Sequence, residues 1–390
     1  MRRRDIMRLL GGAALAPLTA LPAYADLPEG CGVPVARDDG WLVASVNEEK
    51  LIDRAALCRM ADRLAGLSDP NIHAVLVVRD GKLVFERYFR GNDEVPGRFF
   101  GHRIENVTFD ADTLHIMKSA SKSVMSLAMG IAIDRGLIPS VNEPIFNFFP
   151  ELSDLRSPQK DRIQLVHALT MSMGLKWVEA TPATGDNNND EARMHIAWDT
   201  CRYVLSLPVI APAGQEFFYN TGALALVSAV LRKATGRPFD EFVRVNLFEP
   251  LGITHVAWDR YWGEADAGGG LHLRPRDMAK IGRLVLSGGR WNERQIVSKT
   301  WIEASTAFNL KATDGLSYGY LWWLGRTKID ERVVDWIGAL GRGGQSIRIV
   351  PELDLVVVVT AGYFQDYSPQ AFQAQYNVFT DVLRAVSRTG

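Results

Sequence analysis

Residues 115–125 have the sequence His-Ile-Met-Lys-Ser-Ala-Ser-Lys-Ser-Val-Met, and the apolar run Val124–Ile133 continues from them. The apolar run predicts a buried helix, with Ser119 and Lys122 three positions apart at its start. Side chains three apart share one face of a helix, so the hydroxyl and the amine would be neighbours. A desolvated lysine can accept the proton of a serine, and a serine at a helix N-terminus offers its N–H to a developing oxyanion. This segment therefore predicts a nucleophile, its base and half of an oxyanion hole.

The pattern is short, and other serines have to be compared with Ser119. Residues 157–160 also match Ser-x-x-Lys, but they lie in a charged stretch without an apolar helix and are interpreted as surface. Residues 315–319 match Gly-x-Ser-x-Gly, yet no histidine follows Ser317, as that triad would require. For Ser119 itself the alternative is a helix start of small residues that packs closely on a neighbouring element. His115, one turn earlier, is interpreted as structural.

The first 25 residues are predicted to be an export signal. Four arginines precede an apolar stretch that ends in Ala23-Tyr24-Ala25, a small-x-small cleavage site. The pair Arg3-Arg4 is also compatible with the twin-arginine route, so the export route is left open. The segment is too short and too interrupted by Pro and Gly to anchor stably in a bilayer. We therefore expect a periplasmic or secreted protein with no stable membrane anchor after cleavage.

Composition narrows the function classes. The chain has 390 residues, enough for a large core or two lobes, and without its signal it is mildly acidic and lacks basic blocks. A nucleic-acid partner is therefore not expected. The cysteines are Cys31, Cys58 and Cys201; a Cys31–Cys58 disulfide would suit an oxidising compartment, but the pairing is left open. The seven histidines show no metal-ligand spacing, so we expect no metal and no cofactor. The oligomeric state is not predicted.

Strand patterns lie at both ends of the chain. His73–Val78 and Leu83–Phe89 flank Asp80-Gly81, which is a strong hairpin signal. Four further apolar segments predict strands near the C-terminal end: Gly319–Leu324, Arg332–Ile337, Gln345–Val350 and Leu355–Thr360. A final helix is predicted to begin with Ser368 as N-cap and Pro369 at its first position.

Helical patterns dominate between these ends, as in Thr221–Thr235, Phe239–Leu247 and Pro275–Leu286. The sequence thus predicts an α+β protein: an antiparallel sheet flanked by helices, with an inserted, mostly α-helical lobe. Residues 26–115 and 291–390 would form the sheet lobe and residues 116–290 the helical lobe. The active site is expected in the cleft at their junction.

Two later segments offer partners for Ser119. Tyr219 stands just before a predicted helix; close to Lys122 its phenolate form would be stabilised, which makes it a candidate general base or acid. Its alternative role is an aromatic staple against the helix. Residues 341–345, Gly-Arg-Gly-Gly-Gln, precede a strand, and Gly343 and Gly344 would let a substrate lie along the strand edge.

In that second segment the backbone N–H of Gln345 would complete the oxyanion hole. Arg342 would place a positive charge near a substrate carboxylate. The alternative is an ordinary glycine-rich hairpin turn, with Arg342 directed into water.

Together, Ser119-x-x-Lys122, Tyr219-x-Thr221 and the glycine-rich strand start resemble the penicillin-binding-protein and class C β-lactamase superfamily of serine hydrolases. The resemblance covers about residues 70–385 and is strongest to the esterases and the 6-aminohexanoate-dimer hydrolase-like amidases. It implies that Ser119 is the acylated nucleophile and that Lys122 and Tyr219 shuttle its proton. It also implies an oxyanion hole made by the backbone N–H groups of Ser119 and Gln345.

Two departures bear on the substrate. Thr221 occupies a position where β-lactamases carry Asn, and Arg342 replaces the Lys or His of the third motif. The expected activity is therefore that of an exported serine hydrolase that cleaves a small ester or amide, with Thr221, Arg342, Gly343 and Gly344 at the substrate. One alternative is a D-alanyl-D-alanine peptidase or β-lactamase. A second is a non-catalytic sensor of cell-wall peptides, which would acylate once and stop.

Overall fold

The computed structural model describes residues 31–45, 52–66, 71–96, 102–179, 188–313, 315–364 and 369–387. The predicted export signal, residues 1–25, and the predicted N-cap Ser368 lie outside the described residues. Within those ranges, no helix is long and apolar enough to cross a membrane.

The strands form one large sheet and several small ones. In chain order they are β1 (Leu42–Val43), β2 (Ile72–Arg79), β3 (Lys82–Tyr88), β4 (Arg90–Pro96), β5 (His102–Thr108), β6 (His115–Ile116), β7 (Ala257–Trp258), β8 (Arg260–Tyr261), β9 (Glu264–Ala265), β10 (Leu271–Leu273), β11 (Arg290–Trp291), β12 (Arg294–Gln295), β13 (Leu310–Thr313), β14 (Leu316–Tyr318), β15 (Trp323–Ile329), β16 (Arg332–Gly341), β17 (Gln345–Val350) and β18 (Leu355–Ala361).

The α-helices are concentrated in the middle of the chain and at its end. They are α1 (Arg54–Gly66), α2 (Ser121–Asp134), α3 (Leu165–Leu169), α4 (Asp190–Ile196), α5 (Thr200–Ser206), α6 (Gly222–Thr235), α7 (Phe239–Val243), α8 (Pro275–Leu286), α9 (Lys299–Ser305) and α10 (Pro369–Ser387). A π-helical turn, Arg244–Phe248, continues α7.

Nine of the described strands make the main sheet, in the order β1-β3-β2-β18-β17-β16-β15-β14-β13. Every neighbouring pair is antiparallel except β1 and β3, which are parallel. Between β2 and β3, Asp80 and Gly81 have φ angles of +47° and +75°. Two successive left-handed residues match the twist of a two-residue hairpin, so the predicted Asp-Gly hairpin is confirmed.

The central strands are apolar along their whole length because helices cover both faces of the sheet. On β18, Val356 and Val358 pack into a core that includes α8, whereas Val357 and Val359 pack into a second core that includes α1 and α10. Burying one such side chain contributes about 1.5–3 kcal/mol, and a one-residue slip would exchange the two sets between the two cores. The α+β class, with an antiparallel sheet flanked by helices, is confirmed.

Two boundaries differ from the sequence analysis. Helix α8 falls within the predicted helical lobe, residues 116–290, but it packs on β2, β17 and β18, and a Cβ at Gly282 would lie 2.5 Å from Val356. The predicted strand Gly319–Leu324 is wrong for residues 319–322, because β14 ends at Tyr318 and β15 starts at Trp323. Between them Leu321, with φ +62°, donates its N–H to the carbonyl of Leu169. Contacts with distant chain segments thus break the strand.

Cys31 and Cys58 form a disulfide, which joins the segment before β1 to helix α1. Cys201 is a free thiol, partly buried. The sequence left this pairing open, and the fold brings the two cysteines together.

Candidate active site

Ser119 lies on a tight turn between β6 and α2. The turn is a short 3-10 helix, Lys118–Ala120, and Lys118 has φ +47°, a left-handed conformation that side chains rarely adopt. The Ser121 hydroxyl donates to the Lys118 carbonyl over 2.7 Å, and the Met117 N–H donates to the Leu271 carbonyl over 2.8 Å. The strained backbone is thus held from both sides, with the Ser119 side chain half-buried at its apex.

Lys122 is one turn further along, inside the protein. Its Nζ lies 3.0 Å from the Ser119 Oγ and 2.7 Å from the carbonyl oxygen of Gly268, and the residue is 2% exposed. Burial lowers the pKa of Lys122 from its ordinary value, because a charged amine loses its hydration. An amine that loses its proton readily and lies within hydrogen-bond distance of a serine is suited to act as its base.

Tyr219 completes the group. Its ring stacks on Trp323 at 5.9 Å between centroids, and the Lys122 Nζ lies 5.2 Å from the ring centroid. Burial raises the pKa of Tyr219, and the charge of Glu179 adds to this, while a hydrogen bond with Ser119 acts in the opposite direction. The net direction differs from the stabilised phenolate expected from the sequence. A phenol held protonated is suited to donate a proton or to relay one.

Glu179 is a member of the site that the sequence analysis missed. Its carboxylate accepts the Thr221 N–H over 2.7 Å and the Thr221 hydroxyl over 3.0 Å, and it also accepts the indole N–H of Trp177. Its negative charge raises the pKa of Lys122 and so opposes the effect of burial. No motif surrounds Glu179; the only signal is a lone carboxylate at the end of an apolar segment.

Thr221 is the partner that fixes Glu179. It is 2% exposed, and its backbone N–H and hydroxyl both donate to Glu179. Its methyl group packs beside Gly268, where a Cβ would lie 2.5 Å from it. Thr221 therefore holds Glu179 near Lys122, and the predicted role of Thr221 in substrate binding stays a prediction.

The glycine-rich segment reaches the nucleophile turn through its backbone. A Cβ at Gly341 would lie 2.2 Å from the Met117 carbonyl oxygen and 3.2 Å from the Ala120 nitrogen, so only glycine allows this approach. Gly343 and Gly344 have φ angles of +83° and +96° and make the turn between β16 and β17. Gly341 is thus the residue of this segment that packs directly against the nucleophile turn.

Arg342 and Gln345 of that segment both make hydrogen bonds with backbone near the end of β18. The Nε of Arg342 donates to the Phe364 carbonyl over 2.8 Å, and the residue is exposed. Gln345 pairs with Gly341 across the hairpin, and its side-chain amide exchanges hydrogen bonds with the backbone of Ala361. The oxyanion role of the Gln345 N–H stays a prediction.

A cavity of about 110 Å³ lies beside this group, on the side of the helical lobe. Thr221 and Gly268 form the wall it shares with the Lys122 site, and Met194, Tyr261 and Ala265 contribute apolar surface. An apolar cavity next to a nucleophile is a candidate site for the acyl or leaving group of a substrate.

Comparison with known proteins shows the family to which the chain belongs. The family model described as Beta-lactamase matches residues 59–376, so the chain belongs to the beta-lactamase family of serine hydrolases. The 6-aminohexanoate-dimer hydrolase of Paenarthrobacter ureafaciens is 23% identical over 357 residues, 85% of this chain and 83% of that protein. Esterase EstB of Burkholderia gladioli is 24% identical over 46% of this chain and 44% of that protein.

A solved structure shows the same fold. It is a Bacillus anthracis protein assigned provisionally as a 6-aminohexanoate-dimer hydrolase; it is 20% identical and superposes with a TM-score of 0.69 over 91% of this chain and 89% of that one. The predicted superfamily resemblance is thereby confirmed.

Proposed function

We propose that this member of the beta-lactamase family is an exported hydrolase that cleaves a small ester or amide through an acyl-enzyme on Ser119. The observation that carries the proposal is the 3.0 Å contact between the Ser119 Oγ and the Nζ of a lysine whose pKa burial lowers. A serine without such a base would be a poor nucleophile.

The proposed reaction has two half-reactions. Neutral Lys122 accepts the Ser119 proton while the Oγ attacks the substrate carbonyl, and the oxygen gains a negative charge in the tetrahedral intermediate. The Ser119 N–H and a second N–H from residues 341–345 stabilise that charge. The Tyr219 phenol donates a proton to the leaving alcohol or amine and recovers one from Lys122. Water then attacks the acyl-enzyme by the same route in reverse, releasing the acid and free Ser119.

The contacts of the second and third motifs favour esters or simple amides over β-lactams. The Thr221 hydroxyl is engaged by Glu179, and Arg342 is held by the Phe364 carbonyl, so neither is positioned as a dedicated partner for a β-lactam amide or carboxylate. The similarity to a protein named as a 6-aminohexanoate-dimer hydrolase and to one named as an esterase supports the same substrate classes.

Export is part of the proposal. The N-terminal pattern motivates it, and the Cys31–Cys58 disulfide supports it, since such bonds persist in oxidising compartments. Expression of the full chain followed by fractionation checks it: mature protein should be found in the periplasm or medium, shortened after Ala25. Full-length protein in the cytoplasm would contradict export without affecting the proposed chemistry.

Turnover of p-nitrophenyl acetate and p-nitrophenyl butyrate tests the reaction, with nitrocefin as the β-lactam probe. We expect steady ester turnover that is lost in Ser119→Ala and retained in Ser157→Ala, the variant of the second Ser-x-x-Lys match. Nitrocefin hydrolysis would favour the β-lactamase or peptidase alternative. A single stoichiometric burst without turnover would favour a sensor, and equal turnover by Ser119→Ala would refute the assignment of the nucleophile.

A further inference from the structure

Three potential metal ligands meet beside β6, the strand before the Ser119 turn, although nothing in their spacing along the sequence predicts it. His73 is on β2, Asp93 on β4 and His115 on β6, and one ligand atom from each lies within 4.8 Å of the other two. Both imidazoles are buried, with exposures of 0% and 1%, and Asp93 is half-buried at the edge.

The outer nitrogens of the two histidines both face hydrogen-bond acceptors, which assigns a proton to each. The Nε2 of His73 lies 3.0 Å from the Asn92 carbonyl oxygen and 3.0 Å from the Asn71 Oδ1. The orientation of the Asn71 amide is set by its own bonds, since its Oδ1 accepts the Asn92 N–H and its Nδ2 donates to the Asn92 carbonyl. The Nδ1 of His115 lies 3.0 Å from the Ile116 carbonyl oxygen. All of these neighbours are acceptors, so each ring donates outward.

The inner nitrogens are therefore left without protons. The Nδ1 of His73 and the Nε2 of His115 are 2.7 Å apart, so two lone pairs face each other when both rings are neutral. A proton between them would relieve this contact by turning the pair into one imidazolium hydrogen-bonded to one neutral ring, with the ring of Phe109 stacked 3.9 Å from that of His73. A bound cation relieves the contact and gains two neutral ligands.

We propose that the His73 Nδ1, the His115 Nε2 and a carboxylate oxygen of Asp93 bind a zinc ion. Two imidazoles and one carboxylate form a ligand set that zinc accepts, with water completing the tetrahedron. Histidines that bind metals almost always donate their other N–H to a carbonyl or carboxylate, as both of these rings do.

The adjustment that zinc requires is small. Bonds of about 2.0–2.2 Å in a tetrahedron place ligand atoms roughly 3.3 Å apart, so the two nitrogens separate by about 0.6 Å. Asp93 moves inward on the two-stranded ribbon of β4 and β5, which does not belong to the main sheet. Before this movement, the Asp93 Oδ1 accepts the N–H of the next residue, Glu94, over 3.0 Å.

A zinc ion here would stabilise the backbone that leads to Ser119 without taking part in the reaction. His115 lies on β6 and pairs with Leu273 of β10. Strand β6 leads through Met117 into the Ser119 turn. Zinc would join β2, β4 and β6 at the base of that turn, so its effect should be on stability. The inference does not depend on the proposed function.

The test is zinc binding by the full chain, purified without a histidine tag and dialysed against a chelator. Calorimetric titration with ZnCl₂ should give about one zinc per chain, elemental analysis should agree, and saturating zinc should raise the melting temperature. We expect Asp93→Asn and His115→Gln each to weaken binding at least about 100-fold, since even loss of an outer-shell partner costs 10–100-fold. Asp93→Asn is the safer variant, because its side chain is outside the core.

The control is Asp259→Asn, at a His–carboxylate contact outside the proposed ligand set, the 3.0 Å pair with His272. It should leave zinc binding unchanged. The proposal is overturned if the wild type takes up no stoichiometric zinc, or if Asp93→Asn and His115→Gln bind it as well as the wild type. A proton shared by His73 and His115 at neutral pH, seen by ¹⁵N NMR with zinc present, would overturn it too.

Discussion

Arg276 and Lys122 are both buried cations, each 2% exposed, yet their surroundings are opposite in kind. The guanidinium of Arg276 donates to Glu86 and to Asp39, both over 2.8 Å, and to the Val35 carbonyl over 2.7 Å. Burial lowers the pKa of Arg276, but the two carboxylates outweigh it and the net pKa is raised. Its charge is permanent, and it ties the segment before β1 to β3 and α8.

Lys122 has no carboxylate in direct contact among the hydrogen bonds of the described residues. Its Nζ meets a hydroxyl and a carbonyl oxygen, with Glu179 acting on it through space. Burial therefore dominates, and the pKa of Lys122 is lowered. The comparison shows that burial alone does not identify a cation that takes part in catalysis. The partners of the cation decide whether it keeps its charge permanently or can lose its proton.

The largest effect on activity should come from replacing Lys122, the cation that can lose its proton. Lys122→Met should lower kcat/KM for p-nitrophenyl butyrate by at least about 10³-fold, since the general base is lost. The free energy of unfolding should fall by no more than about 1 kcal/mol, because an apolar side chain of similar size avoids burying a charge. Steady-state kinetics and urea denaturation measure both.

Lys118→Met is the matched control. Lys118 adjoins the nucleophile but is partly exposed and pairs with Glu94 at 3.6 Å, so activity should stay within about tenfold of wild type. If Lys118→Met were as inactive as Lys122→Met, the assignment of Lys122 as the base would lose its support.

Arg276→Met should show the opposite pattern. Loss of the guanidinium leaves Glu86 and Asp39 without their partner, which should cost about 3–5 kcal/mol of unfolding free energy. The activity of the folded fraction should be kept. Arg283→Met, on the same helix, removes a partly exposed pair with Asp354 and should cost about 1 kcal/mol or less. Equal destabilisation by the two variants would contradict the structural role of the Arg276 network.

The smallest effect concerns the through-space charge of Glu179. When kcat/KM is plotted against pH, its acid limb should report the deprotonation of Lys122, with kcat/KM rising as pH rises through the pKa of Lys122. The Glu179 carboxylate raises that pKa, so Glu179→Gln should lower it further and move the limb to lower pH. A pH–rate profile for an ester substrate measures this.

Glu191→Gln is the variant to compare with Glu179→Gln, because the charge of Glu191 also raises the pKa of Lys122 but less strongly than that of Glu179. Its shift should have the same sign and be smaller. A shift to higher pH in Glu179→Gln would show that the limb does not belong to Lys122.

Much of the fold follows from local patterns that the sequence displays. Asp80-Gly81 specified a hairpin, and the apolar run after Ser119 specified α2, because turn chemistry and helical periodicity act over a few residues. The strand expected at Gly319–Leu324 fails for a different reason. There the aromatic run favours a strand locally, but Leu321 and Tyr320 bond instead to carbonyl groups of Leu169 and Ser305.

The candidate site divides in the same way. By itself the sequence determined that Ser119 and Lys122 adjoin, because residues three positions apart are neighbours both on a 3-10 turn and on the α-helix that continues it. Only the tertiary structure decided that Glu179 meets Thr221 and that His73 meets His115. Those pairs are 42 residues apart in sequence, and no periodicity relates them. The packing of the sheet and helices brings them together, and with them the charges and lone pairs that set the chemistry.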